Sequence, residues 1–237
     1  MAFLGNLIHR VPLLSRLVAR LRSRKERRRL RNRSTAEVFA EIHRTNAWGG
    51  RDSLSGTGSD TEQTRLVVTA LQRIIAERKV ATMLDIPCGD FHWMRHADLG
   101  GADYTGADIV DELIEENRRR YTRPRTTFRR LDLLSDELPR VDLIFCRDCL
   151  VHFSHADVRR ALANIIGSGS RFLLTTTFSE QRFNAEIVTG QWRRLNLERP
   201  PFSLPSPLEL INEGCTEDDG AYADKSLGLW RISDLKQ

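Results

Sequence analysis

The sequence predicts an α/β protein built on an open, mostly parallel sheet, with helices on both faces and an antiparallel pair at one edge. Three observations carry this. From about residue 60, helical and extended signatures alternate, the mark of parallel strands joined by crossover helices. The run 171–178, RFLLTTTF, is β-rich almost throughout, as a central strand buried on both faces requires. Pro200, Pro201, Pro205 and Pro207 then exclude a regular helix over 199–207, and two extended runs, 208–213 and 227–232, form a closing pair.

Taken in order, Asp60 stands where a helix N-cap is expected, with Thr61 and Glu62 in the first turn. Leu66, Val67, Ala70, Leu71, Ile74 and Ile75 then fall on one helical face. Residues 81–86 read as the first strand and 104–109 as the second, which contains Asp108 near its end. Residues 111–121 are helical, 126–131 form a third strand ending at Asp132, and 141–146 a fourth. An amphipathic helix follows over 156–166, with His155 at its start as a cap.

At 237 residues with 40% hydrophobic content, the chain can bury one sizeable core, so one domain over 60–237 plus appendages is expected. The net charge of +5 misleads. Residues 1–33 hold eleven Lys and Arg against the single acid Glu26, so the remaining 204 residues sum to −5. Basicity confined to a tail argues against a nucleic-acid groove on the main domain. His9, Arg10 and Arg16 interrupt the apolar runs of the first 21 residues, which therefore read neither as a secretory signal nor as a bilayer span. Phe3, Leu4, Leu7, Ile8, Val11, Leu14, Val18 and Leu21 instead recur at helical spacing with a cationic border. Two readings stay open: a helix lying on an anionic membrane surface, or one packed on the domain or a second subunit, with Pro12 kinking either. The expected location is cytoplasmic, peripheral to the inner face of the membrane under the first reading.

Cys88, Cys146, Cys149 and Cys215 lack the second close pair that a zinc ribbon needs, and read as reduced thiols near a sheet end. Between tail and sheet, residues 34–59 are expected to be a lid or linker. The stretch NAWGGRDSLSGTGSD, 46–60, has linker composition, but Trp48 and four glycines suit a lid folding over a ligand.

An open parallel sheet binds its ligand beyond the carboxyl ends of its strands. The first such end is Asp85-Ile86-Pro87-Cys88-Gly89-Asp90, which lacks the G-x-G-x-x-G of a dinucleotide loop. Asp90 would set a carboxylate beside a diphosphate, so the loop suits a cationic group, a sulfonium or an ammonium. Asp108 can accept both hydroxyls of a ribose, and Asp132 an exocyclic adenine amine, with Leu131 and Leu133 flanking the ring.

The series LDIPCGDFHWM, YTGADIV, FRRLDLL and VDLIFCRDCLVHFS resembles motifs one to four of the class I S-adenosylmethionine-dependent methyltransferases over roughly residues 60–180. It is similar in particular to a bacterial subgroup with PCGD in the first loop, found beside glycan-assembly enzymes. The WGG-x-x-S-x-S-G-x-GS pattern and the later GQWRRLNL, PPF and LPSP segments extend the likeness to nearly the whole chain. The resemblance implies a Rossmann-like, mostly parallel seven-stranded sheet with an antiparallel edge, and S-adenosyl-L-methionine as cofactor. It implies Asp85, Pro87, Gly89 and Asp90 around the methionyl part, Asp108 with Ile109 on the ribose, and Asp132 with Leu133 near the adenine. Pro87 and Phe91 depart from the family's commoner glycines. Trp93 packs on the cofactor or in the core, and Arg147 faces the cofactor or pairs with Asp148.

Methyl transfer to a hydroxyl needs a base. In CRDCLVHFS, a helical turn would put Asp148 and His152 on one face, so His152 is the candidate base and Asp148 its orienter or a substrate ligand. Nothing in the spacing of His152, Asp148 and Asp108 requires a metal. With Trp48 in the lid, Trp192, Arg193 and Asn196 are candidates for an acceptor pocket, or else a rigid cover over the sheet edge. The expected function is O-methylation of a glycan or small polar acceptor. The rivals are RNA or protein methylation docked through the Arg-rich tail, and a cofactor-binding module without turnover.

Overall fold

The computed structural model describes residues 27–235. The amphipathic helix expected over the first 21 residues lies outside them. After helical residues 27–31 comes α1 (Thr35–Thr45), which begins inside the segment expected to be a lid or linker. Its cause is a capping box: Ser34 Oγ accepts from the Glu37 amide and the Glu37 carboxylate accepts from the Ser34 amide. Val38 and Ile42, four apart, then pack with Leu30 against the body. Only 46–60 is loop, broken by a short 3₁₀ turn at Thr57–Ser59.

The domain continues with α2 (Thr61–Arg78), β1 (Thr82–Asp85), β2 (Asp103–Asp108), α3 (Asp111–Tyr121), β3 (Thr126–Arg130), β4 (Leu143–Cys146), α4 (His155–Gly167), β5 (Phe172–Phe178), β6 (Glu209–Asn212) and β7 (Lys225–Arg231). Asp60 is the N-cap of α2 by position, yet its carboxylate makes no cap bond. It accepts instead from the Arg51 and Asp52 amides, which closes the preceding loop on itself. Ser154, rather than His155, caps α4.

The seven strands form one sheet in the order β3-β2-β1-β4-β5-β7-β6. The first five run parallel, and β7 pairs antiparallel with both β5 and β6. Alternate residues feed opposite faces, as a strand's period of two dictates. Met83, Leu143 and Phe145 pack under α2 and α3, whereas Leu84, Ile144 and Cys146 pack under α4 and the proline-rich segment. Every residue of β5 is buried, whereas the two edge strands, β3 and β6, alternate with solvent. The order reverses between β1 and β4, which opens a crevice at their carboxyl ends. Among the described residues no helix is long and apolar enough to cross a membrane.

Candidate active site

The crevice is a cavity of about 1030 Å³ including its open mouth. Its floor is the loops after β1, β2, β3 and β4, and its wall is α1 with the loop 46–60. Asp85, Pro87, Gly89, Asp90, Trp93, Asp108, Ile109, Asp132, Leu133, Arg147, Asp148, His152 and Trp48 all line it. Trp192, Arg193 and Asn196 do not.

Asp85 is buried and accepts from Tyr104 Oη at 2.6 Å. Burial pushes its carboxyl up to about 8, aided by Asp108 and opposed by the Tyr104 hydrogen bond and by Arg147. Asp108 accepts from Val110 N at 3.0 Å and Gly89 N at 3.3 Å. Burial raises it too, against those two amides and the nearby His43. Asp132 accepts from Leu134 N and Ser135 Oγ, so its carboxylate also shapes its own turn.

The loop after β1 is bound to the loop 46–60, which covers the cavity in the manner of a lid. Asp90 accepts from Ser53 Oγ at 2.9 Å and Leu54 N at 2.8 Å, so its carboxylate holds the lid down as well as lining the cavity. Gly89, at φ +55°, lies where a Cβ would run into Ser55 Oγ, which explains the one glycine the loop retains. Phe91, which stands where a glycine is commoner, is buried among Tyr104, Tyr121 and Phe128. His92 turns away from the main cavity, with Nε2 3.4 Å from Thr61 Oγ1. Trp93 meets Phe145 edge-on and lies under the Arg147 guanidinium at 5.8 Å, so it touches both core and cavity.

Below the lid sits a buried ion cluster. Arg147 donates to Glu213 through Nε at 3.1 Å and Nη2 at 2.7 Å, and to the Gly58 carbonyl at 2.9 Å. Lys225 donates to Asp148 at 2.7 Å, and Arg147 Nη1 is 3.4 Å from the same carboxylate oxygen. Burial alone would raise Asp148, but Lys225 and Arg147 hold it well below the usual carboxylate range. A Cβ on Gly58 would stand 3.1–3.2 Å from Lys225, Asp148 and Glu217, so glycine lets the lid seat on the cluster.

The helical turn expected to join Asp148 to His152 does not form. Asp148 has φ +51° and faces Lys225, and His152 ends a 3₁₀ turn, Leu150–His152. His152 Nδ1 instead lies 3.1 Å from the Gln191 carbonyl. Asp148 acts on the ring only through its charge. Burial pushes the imidazole down to about 4, against the pull of Asp148 and of Gln191, so the ring is neutral near pH 7. Trp48 and Phe39 cover it.

The remaining acceptor candidates are framework. Arg193 is buried and donates to the Val151 carbonyl, while Asn196 ties Ser179 and Gln181 by their carbonyls. Trp192 packs edge-on against Phe178 and Tyr222 at the surface. Backbone geometry sends these side chains elsewhere: the Arg193 amide binds Val151 and the Gly190 amide binds His152, which presents the chain's carbonyl, not its side chains, to the site.

Unanticipated were Thr35, Phe39 and His43 of α1, which line the cavity, and Glu213, Glu217 and Lys225. The S-T-A-E capping box at 34–37 is a signal that could have found α1. The cluster residues are remote in sequence and had none. Among the described residues no group of three or more His, Cys, Asp or Glu could hold a metal ion. All four cysteines are free and buried.

Residues 83–168 match a family model described as a methyltransferase domain. No curated protein sequence matches the chain. Solved structures do. Human N-acetylserotonin methyltransferase superposes with a TM-score of 0.58 at 15% identity, covering 82% of this chain and 59% of that one. The Burkholderia thailandensis 1,6-didemethyltoxoflavin-N1-methyltransferase gives 0.59 at 16%, covering 83% and 88%. The methyltransferase domain of bacterial CtHen1-C gives 0.53 at 13%, covering 73% and 98%. This chain thus spans about three fifths of the human enzyme's length. The protein has the Rossmann-like fold that these methyltransferase structures share, and its residues 83–168 match the methyltransferase-domain model.

Proposed function

We propose that the protein is an S-adenosylmethionine-dependent methyltransferase that methylates an oxygen of a glycan or another small polar acceptor, with His152 as general base. One observation carries this: a single cavity gathers the strand-end acids Asp85, Asp108 and Asp132 beside a buried, neutral imidazole. The donor set fits the cofactor. Asp108 and Asp132 keep acceptor capacity for ribose hydroxyls and an adenine amine, Ile109 and Leu133 offer apolar flanks, and Asp85 answers a cationic methionyl group.

When bound, S-adenosylmethionine supplies a methyl group on a cationic sulfur, open to in-line displacement. The chain's own residues do the rest. The Gln191 carbonyl accepts from Nδ1–H, which fixes the tautomer and leaves the Nε2 lone pair to take the acceptor's proton. Trp48, Phe39 and Phe153 exclude water around that ring. The glycan acceptor is supported by the likeness of the PCGD loop to its bacterial subgroup, and the tail of net +10 favours a peripheral position on an anionic membrane.

Incubation with methyl-labelled S-adenosylmethionine and separate cell-envelope, small-molecule, RNA and protein pools tests the proposal. Label should enter the glycan or small-molecule fraction. Label confined to RNA or protein would contradict it.

A further inference from the structure

Helix α1 turns one stripe toward the cavity. Thr35, Phe39 and His43 follow at intervals of four, which places them on a single helical face, and all three line the cavity wall. The neighbouring stripe, Val38 and Ile42, is buried with Leu30, so the rotation of the helix is fixed. α1 precedes residues 83–168, the segment matched as a methyltransferase domain, and is an element added to that segment.

The surroundings change along the stripe. Phe39 lies at the base, its ring 6.4 Å from His152 and 6.1 Å from Phe153. His43, one turn on, stands where the main cavity meets a second one lined by His92, Asn117 and Tyr121, and shares Leu54, Asp90 and Leu113 with both. It is close enough to Asp108 for its charge to act on that carboxyl. Its ring makes no hydrogen bond to another described residue.

We propose that His43 is a cofactor-binding residue, held by α1 over the ribose side of the cofactor across from Asp108. This rests on the S-adenosylmethionine reading above. A ribose diol carries two hydroxyl donors and two oxygens that accept. Asp108 is acceptor-only when ionised, and serves the donors. Val110 and Leu113, its neighbours on this wall, bring apolar side chains. An imidazole supplies the missing N–H. One helix thereby closes on both reactants, with Phe39 beside the base and His43 beside the nucleoside.

Calorimetric titration of the full chain with S-adenosylhomocysteine tests the assignment. His43→Ala should weaken binding about tenfold, the effect of one hydrogen bond to a polar ligand. His43→Gln, which keeps a donor, should stay within about threefold of wild type, and Arg44→Ala, on the exposed side of α1, should bind like wild type. An affinity for His43→Ala within about twofold of wild type overturns the assignment. So does an equal loss in Arg44→Ala, which would trace the effect to the helix as a whole. Absence of binding by the wild-type chain would instead overturn the cofactor reading beneath it.

Discussion

Trp48 lies on the face of His152, ring centroids 4.6 Å apart and planes 28° from parallel. A residue of the lid is thus the cover of the candidate base. Gly56, at φ +97°, lets the chain pass close over Trp48, since a Cβ there would stand 3.1 Å from the Trp48 Cβ. The loop 46–60 thus touches both the candidate base, through Trp48, and the ion cluster, through Gly58.

Trp48→Ala should open the base to water. The imidazole then moves up from about 4 toward the ordinary histidine value, because burial is what depresses it. The acidic limb of the rate profile should shift upward with it, and turnover should fall about tenfold, in keeping with an aromatic stacking contact. Proton NMR of the His152 ring through a pH titration reads the shift directly; an unmoved midpoint would contradict the shielding.

His152→Ala should lower turnover by about 10²–10⁴, the range of general-base catalysis, with the dissociation constant for S-adenosylhomocysteine changed less than about threefold. In the wild type the base form persists down to about pH 4, so rates should stay flat from pH 6 to 8 as far as this group is concerned. Equal turnover in the variant would remove His152 from the mechanism.

Cofactor affinity should rise with pH through the Asp85 titration. In the free protein this carboxyl holds its proton up to about 8, facing Tyr104, Asp108, Cys88 and Arg147. A cationic ligand favours the ionised form, so the complex binds fewer protons than the free protein. Affinity for S-adenosylmethionine then increases from pH 6 toward 8, by at most about tenfold per pH unit. Calorimetry in buffers of different ionisation enthalpy should show proton release, and Asp85→Asn should abolish it.

Glu213→Ala should destabilise the fold by about 3–5 kcal/mol, because it leaves the buried Arg147 guanidinium without its main partner. Burial alone would lower Arg147, and Glu213 with Asp148 holds it above its ordinary value, so the charge cannot be shed. Thermal unfolding of the variant measures the loss; a change under about 1 kcal/mol would mean that Asp148 alone suffices to pair Arg147.

The fold was legible because it is written in local periodicity. The alternation after residue 60, the β-rich run of β5 and the prolines at 200–207 each restrict backbone choice without reference to distant residues. The strand-end acids were legible for the same reason: the end of a strand is a local feature and the sheet puts the ends together. Arg147 as a partner of Asp148 was legible from adjacency, but its distant partner was not. A four-residue interval suggested His152, but φ +51° at Asp148 turns the carboxylate to Lys225, 77 positions away. Trp192, Arg193 and Asn196 had the right chemistry for an acceptor, yet the hydrogen bonds of their own backbone decide where they point, and no pattern in GQWRRLNL shows those bonds. α1 is announced by S-T-A-E, but the glycines that follow dominate the composition of the segment and mask it.

On the proposed function, this cavity holds S-adenosylmethionine through its strand-end acids. Titration of the wild-type chain and Asp108→Ala with S-adenosylhomocysteine decides whether it does. The wild type should bind at one saturable site, and the variant at least about tenfold more weakly, since a buried acceptor for two hydroxyls is lost. No saturable binding by the wild type, or equal binding by both, would contradict it.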